Sequence, residues 1–402
     1  MIKVTLTPLN DTGELSSQEI DISNDVDRRS LARINQVIEG SDYDVGRVKI
    51  SDMTLRLSNY KGRYSDIQDL RSIFGFSRSG SVVKIYWAPQ EPLVCGFFKC
   101  GEAILSEWVL MFDGILDDST SRMNIEDQII DFKILSFDSI LDRLLVPTLT
   151  TSDDLESAIF KCLNQSRFTK YVSVDESDIN CLVNYTIDDV DPFDGKTVGE
   201  VMPDLLLAAN SVLLIEGAQV KVFPRNEIKD LKRTFYGQAS EIGNEDILAI
   251  KDFTSGQNRI INFVSWKDSN VSASDAASIE LWGVRKQELD IEFVTNTSKR
   301  QDTGGSIIDV FKTPKREMVL NCALDYKGLF EFFDVVKIDY PSVYTASGER
   351  LPVVGLAVIG DPLTPLPQLA WAFTISLDSS WRVLGKSFDL RREIVELKLR
   401  EV

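Results

Sequence analysis

The chain has 402 residues, 44 Lys+Arg against 62 Asp+Glu, and no histidine. At roughly 100–200 residues per domain it is long enough for two to four domains, and its 43% hydrophobic and 26% charged fractions are those of an ordinary globular protein. The missing histidine excludes a Ser-His-Asp or Cys-His nucleophile, a His-ligated zinc and a histidine general base, so any catalysis would run on carboxylates, lysine, tyrosine or a cofactor.

The net charge of −18 is uneven: residues 1–148 carry −7, 149–228 carry −8 and the remainder −3. No basic stripe is present to grip phosphate backbones, and the acidity opposes anionic membranes. Cys95, Cys100, Cys162, Cys181 and Cys322 are few, odd in number and scattered, the pattern of buried thiols in a reducing compartment. Cys95 and Cys100 are too few for a metal site. No run approaches ~20 apolar residues, and MIKVTLTPLNDTGELSS lacks the apolar region of a signal peptide. The expectation is a chain made in a cytosol, with the Asn-x-Ser/Thr matches at Asn164, Asn184, Asn270 and Asn296 arising by chance.

Residues 1–148 read mainly as strands. Val48 and Ile50, then Met53, Leu55 and Leu57, alternate with polar residues, and the slip between the sets places a bulge or bend near Ser51–Asp52. SVVKIYWAP (81–89), EWVLMFDGIL (107–116) and IEDQIIDFKIL (125–135) follow, the last after a turn written Asp117-Asp118-Ser119-Thr120. A short helix with Ile140, Leu141, Leu144 and Leu145 on one face closes the unit, and Pro147 stops it. Several strands at short spacing argue for a barrel or sandwich.

Residues 149–228 read as a small α+β domain. Ser152-Asp153-Asp154 caps a helix with Leu155, Ala158, Ile159, Cys162 and Leu163 on one face. Thr197-x-x-Glu200 has the form of a capping box, with Pro203 predicting a kink or a shifted start. SVLLI and EGAQVKVFP form a hairpin turning at Glu216-Gly217. From 229 to 345 strands dominate: Ile260, Ile261, Phe263 and Val264, then IELWGVRKQELDIEF, with Lys299 to Ser306 a flexible tip and a helix over Ser306 to Lys312. Phe332 to Ile338, Val353 to Val358 and Leu369 to Ile375 are further strands. In the tail, Val395, Leu397 and Leu399 alternate with Glu396, Lys398 and Arg400.

Little chemistry stands out. In DDVDPFDGKTVGE (188–200), Asp189, Asp191 and Glu200 occupy positions 1, 3 and 12 of a calcium loop, but Phe193 stands at 5 and the glycine at 7, not 6. An acidic surface loop before a capped helix explains the same residues. Gly195-Lys196-Thr197 matches the tail of a phosphate loop, yet Val190 stands where the first glycine is required. Asp113 with Asp117, or Glu126 with Asp131, has the form of a glycosidase dyad, though with 62 carboxylates adjacency carries almost no information. Trp87, Trp108, Trp266, Trp282, Trp371 and Trp381 lie in strand contexts, as core or subunit interface. No catalytic, cofactor-binding or metal-ligating residue is assigned.

The order of segments resembles the baseplate hub or tail-tip hub proteins of long-tailed bacteriophages. VGRVKISDMTLRLSNYKGRYSDI (45–67), the turn Ser79-Gly80-Ser81 with VVKIYWA, and LMFDGILDDSTSRMNIEDQIIDFKILSFDSILDRLL (110–145) resemble the family's first barrel. KTVGEVMPDLLLAANSVLLIEGAQVKVFPR (196–225) is similar to its helix-plus-hairpin. NRIINFVSWK (258–267), SIELWGVRKQEL (278–289) and VLNCALDYKGLFEFFDVVKIDYP (319–341) resemble the strands of its second barrel. The segment after 345 is short for the family, and the cysteine cluster that some members use for an iron–sulfur centre is not reproduced.

The resemblance implies a β-rich α+β, multidomain fold with two β-barrel domains: 1–148 first barrel, 149–228 α+β domain, 229–345 second barrel and 346–402 C-terminal β segment, with segments free to interleave. It implies a structural virion protein without enzymatic activity, assembled in the host cytoplasm into a homotrimeric ring at the tail tip. The ring joins the sixfold tail tube and distal tail proteins to a central tip or fibre protein. Tape-measure protein and DNA pass through, the DNA only as cargo, with no stable membrane insertion. A carboxylate-based cell-wall glycan hydrolase and a carbohydrate-binding β module are the alternatives.

Overall fold

Period-two alternation builds the first sheet of the computed structural model, which describes residues 1–31, 33–38, 45–65, 72–74, 77–88, 108–227, 229–236, 247–267, 269–324, 329–345, 350–351, 369–375 and 379–402. The opening strands are β1 (Ile2–Thr7), β2 (Ile20–Asp21), β3 (Ile34–Ile38), β4 (Gly46–Ile50), β5 (Met53–Ser58), β6 (Val82–Trp87), β7 (Val109–Asn124) and β8 (Ile129–Ser136). Met53, Leu55 and Leu57 of β5 stand opposite Ile134, Phe132 and Ile130 of β8, all buried, while Thr54 and Arg56 face outward. The antiparallel order is β2-β1-β6-β7-β8-β5. The sheet curls until its edges meet: just after β2, Asp27 N–H donates to the Arg56 carbonyl (2.9 Å), and Ser58 N–H donates to that of Asp25 (2.8 Å). Inside lie Val4, Leu6, Val83, Ile85 and Phe132 with Tyr64 and Phe74.

Two details differ from expectation. Residues 117–120 are no turn but part of β7, whose register against β8 shifts between Asp117 and Arg122. This bulge absorbs the Asp-Asp-Ser-Thr stretch, and the hairpin turns at 125–128 instead. The bend expected at Ser51–Asp52 is present, as the corner between β4 and β5. The closing helix is a 3₁₀ helix, Phe137–Arg143, that buries Phe137, Ile140 and Leu141; Leu145 points to solvent.

Next come α1 (Leu155–Leu163), α2 (Ser166–Thr169), α3 (Val198–Ala209), β9 (Ser211–Glu216) and β10 (Gln219–Pro224). Asp154 caps α1 by accepting Ser157 N–H at 2.8 Å, and the five apolar residues of the spacing are all buried. The Thr197–Glu200 capping box is present, and α3 runs through Pro203. The bond that proline loses is to the Gly199 carbonyl, in the turn the capping box already holds. The β9–β10 turn falls at Gly217–Ala218, both at positive φ (61° and 59°), the signature of a type I′ turn whose twist suits the strands. β9 runs parallel to β4, giving the strand order β10-β9-β4-β3.

The later elements are β11 (Leu231–Tyr236), β12 (Ile247–Thr254), β13 (Phe263–Trp266), β14 (Ser272–Ser274), α4 (Ala276–Trp282), β15 (Lys286–Leu289), α5 (Thr297–Phe311), β16 (Glu317–Ala323), β17 (Val335–Thr345), β18 (Arg350–Leu351), β19 (Leu369–Ile375), β20 (Ser380–Asp389) and β21 (Ile394–Glu401). The segment Ile279–Trp282, read as strand, is helical because Asp275 caps it through Ser278 N–H (2.8 Å) and Gly283 ends it. The flexible tip expected over Lys299–Ser306 is helix, for α5 starts at Thr297. Its buried face is made of small residues, Thr303 and Gly304, so it carries no apolar stripe in its first half. The Val353–Val358 strand lies outside the described residues, as do Cys95 and Cys100.

These elements divide into two units: Met1–Asn226, Ile261–Lys312 and Ser387–Arg392; and Glu227–Ile260, Thr313–Lys386 and Glu393–Val402. The first holds the curled sheet, the α1–α3–β9–β10 layer and the small sheet β14-β13-β15 with α5. In the second, β21, β16 and β12 pair in that order, and β17 pairs with β20, with β19 and, in parallel, with β11. Phe235, Phe330, Phe332, Phe333 and Trp381 are buried there with Val395, Leu397 and Leu399 of β21. Arg400, expected outside, is buried, and its Nε donates to Glu317 Oε1 at 2.7 Å. The fold is thus β-rich, α+β and multidomain.

Candidate functional site

The acidic loop 188–200 is a clasp. Asp188 accepts N–H bonds from Thr295 (2.8 Å) and Asn296 (2.7 Å) at the start of α5, and Lys299 Nζ lies 2.6 Å away. Burial alone would raise this carboxyl, but Lys299 and the two N–H groups hold it below the usual range. Asp189 accepts the N–H of Asp191 (3.0 Å), Phe193 packs on Phe293 with ring centres 5.1 Å apart, and Glu200 accepts the Thr197 N–H (2.7 Å). Lys196 pairs with Glu292 at 3.4 Å. The structure therefore does not bring Asp189, Asp191 and Glu200 together as ligands, nor free Lys196 for a phosphate. Among the described residues no three His, Cys, Asp or Glu side chains group closely enough to hold a metal ion.

The carboxylate pairs do not form a glycosidase dyad either. Asp113 and Asp117 lie on regular β7 backbone four residues apart, about 13 Å at the rise of a strand. Glycosidase carboxylates stand about 5–9.5 Å apart. Asp117 accepts bonds from Ser119 and Arg143, and Asp131 is held by Arg56 through two bonds of 2.8 and 3.0 Å. Asp113 is buried beside the Gly217–Ala218 turn; burial pushes its carboxyl up to about 6 despite a bond from the Ala218 N–H, and its Oδ2 has no partner. Burial pushes Asp138 up to about 6 as well, next to Ser136. Cys162 and Cys322 are buried, and burial carries the Cys162 thiol up to about 12, far from a reactive thiolate.

The sequence reading missed two kinds of feature. One is the buried cation: Arg225, wholly buried, donates to the Ser306 carbonyl (2.7 Å) and lies 5.4 Å from the Phe311 ring centre, tying β10 to α5. The other is the set of exposed apolar side chains. Trp87, Trp266 and Trp381 are core, but Trp108 is exposed, as are Met123 and Ile125 on the β7–β8 hairpin and Leu281 and Val284 around Gly283. Their signal was present as apolar residues at turns, where no core needs them.

No family model matches the sequence, and no curated protein does. The fold is nevertheless shared, over nearly the whole length, by solved structures of tail proteins. The tail protein from Neisseria meningitidis MC58 matches with TM-score 0.53 at 10% identity, over 100% of this chain and 96% of its own. The prophage tail protein gp18 from Listeria monocytogenes EGD-e gives 0.51 at 12%, over 99% and 94%. The 43 kDa tail protein of prophage MuSo2 from Shewanella oneidensis gives 0.50 at 10%, over 99% and 97%. This chain has the fold of those tail proteins.

Proposed function

We propose that the chain is a structural hub protein of a long-tailed bacteriophage. Three copies form a ring at the distal end of the tail, join the sixfold tail tube to the central tip, and line part of the DNA channel. The observation that carries this reading is the likeness of fold over the whole length to three tail proteins. The commitment of the candidate carboxylates to caps, clasps and ion pairs supports a part that works by shape and not by catalysis. The charge of −18 suits a conduit for a polyanion, which basic walls would retain. In this reading the protein meets tail tube, distal tail, tip and tape-measure proteins, and DNA only in passage.

Light scattering with negative-stain imaging tests it. The expected result is three times the chain mass of 45.2 kDa and a ring with a hole on the order of 30 Å, since a duplex whose major groove alone spans about 12 Å must pass. A compact monomer at every concentration, alone and with its tail tube protein, overturns the ring. A lumen lined mainly by basic residues overturns the conduit.

A further inference from the structure

The end of α4 sets apolar and basic side chains together in solvent. Asp275 starts the helix, Ser278 turns inward, and Gly283, at φ 70°, breaks the chain away so that Leu281 (76% exposed) and Val284 (63%) both stand in solvent. Arg285 and Lys286 follow directly, exposed, and neither side chain makes an ion pair among the described residues. Elsewhere Arg56, Arg63, Arg78, Lys133 and Lys161 are each engaged by a carboxylate of the same chain. Glu280 is the one carboxylate on this helix. Two bare apolar side chains beside two unpaired cations, in a chain of net charge −18, call for an acidic partner with an apolar centre.

The same unit carries a surface of that chemistry. Asp175, Glu176 and Asp178 are exposed around a short 3₁₀ turn, and Glu176 and Asp178 make no ion pair among the described residues. Leu182 is exposed beside them, and Glu156 lies against its flank, accepting the N–H of Cys181 at 2.9 Å.

We propose that the Leu281–Val284–Arg285–Lys286 knob of one copy docks on the Asp175–Glu176–Asp178–Leu182 ledge of the next copy of this chain. Both faces belong to the unit Met1–Asn226, Ile261–Lys312 and Ser387–Arg392, so each copy offers one of each. Two unlike faces on one body make a head-to-tail contact, which closes into a ring when the rotation between copies divides a full turn. The inference rests on the ring reading above and names the surfaces that would close it. The apolar pair supplies the buried anchor, and the charges fix register and exclude wrong partners.

The experiment compares four full-length chains by mass at a series of concentrations and salt strengths. The wild type is expected at three times the chain mass, its dissociation midpoint rising with salt. R285E/K286E, at exposed positions that leave the fold intact by circular dichroism, is expected to raise that midpoint on the order of tenfold or more. Leu281→Asp is expected to do the same through the apolar anchor. Combining R285E/K286E with E176K/D178K is expected to restore assembly, which only direct contact between the two faces predicts. A ring that survives both knob variants unchanged overturns this contact and leaves the ring itself standing. A wild type that stays monomeric at every concentration, alone and with its tail tube protein, overturns both.

Discussion

A methyl group added at Gly114 has nowhere to go. Gly114 lies in β7 opposite Ser136 of β8 and Val83 of β6, so it sits in the middle of the curled sheet. Its Cβ would stand 2.4 Å from the Leu135 carbonyl oxygen, 3.1 Å from the carbonyl carbon and 3.0 Å from Ile134 Cγ2. Since comfortable contact between carbons is about 3.5–4.0 Å, β7 and β8 would have to part by about 1 Å. β6 holds the other edge of β7, so the movement stretches a ladder on one side or the other. Overpacking of this kind costs about 1–3 kcal/mol, and Gly114→Ala should fall in or above that range. Gly305 is the control: it lies inside α5 with nothing within 4 Å of an added Cβ, so Gly305→Ala should stabilise by about 0.5–1 kcal/mol. Both residues belong to one unit, whose unfolding in urea is followed by hydrogen exchange of the β6–β8 amides. The two midpoints should move in opposite directions at equal slope. A Gly114→Ala midpoint at or above wild type refutes the steric argument.

Asp113 gives a pH test. Its carboxyl ionises near 3.8 when unfolded and at about 6 when folded, so the folded state binds more protons between those values and stability falls as pH rises through the window. Asp113→Asn should remove that slope and add up to about 3 kcal/mol near pH 7, at 1.36 kcal/mol per pKa unit; destabilisation there would sink the assignment. In the second unit, Glu317→Gln removes the carboxylate that accepts from buried Arg400 at 2.7 Å and pairs with Arg259 at 3.3 Å. A loss of about 3–5 kcal/mol is expected in the unfolding of that unit, read by hydrogen exchange of the β16–β21 amides, and a neutral outcome speaks against a buried pair. Thr197→Ala removes one half of the capping box and should cost about 1 kcal/mol, read as a lower urea midpoint, with Thr197→Ser recovering most of it.

What sequence reading captures here is what repeats at a fixed period. Leu155, Ala158, Ile159, Cys162 and Leu163 announce α1, Val395, Leu397 and Leu399 announce β21, and Thr197 with Glu200 announces the start of α3. It fails where burial is achieved without apolar bulk. Gly304 of α5 packs so closely on Ala273 and Val264 that an added Cβ would lie 3.2 and 3.3 Å from them, so a helix face looks in sequence like a Gly-rich loop. It fails again where a strand tolerates a polar insertion, as β7 does between Asp117 and Arg122, and where the Asp275 cap outweighs the strand propensity of Ile279 and Trp282. The candidate site divides the same way. The capping role of Glu200 was readable, whereas the clasp of Asp188 on Lys299 joins residues 111 apart and no local pattern encodes it.

The order in which the two units draw on the chain bears on how the protein is made. Residues 1–226 leave the ribosome first, yet their unit still lacks Ile261–Lys312 and Ser387–Arg392, and the other unit waits for Glu393–Val402 with β21. Synthesis at about 5–20 residues per second means that the earliest strands must keep their apolar faces shielded for many seconds before their last partners arrive. A chain cut short before residue 387 finishes neither unit. Interrupted translation then yields unfinished units whose exposed apolar strands proteases can remove.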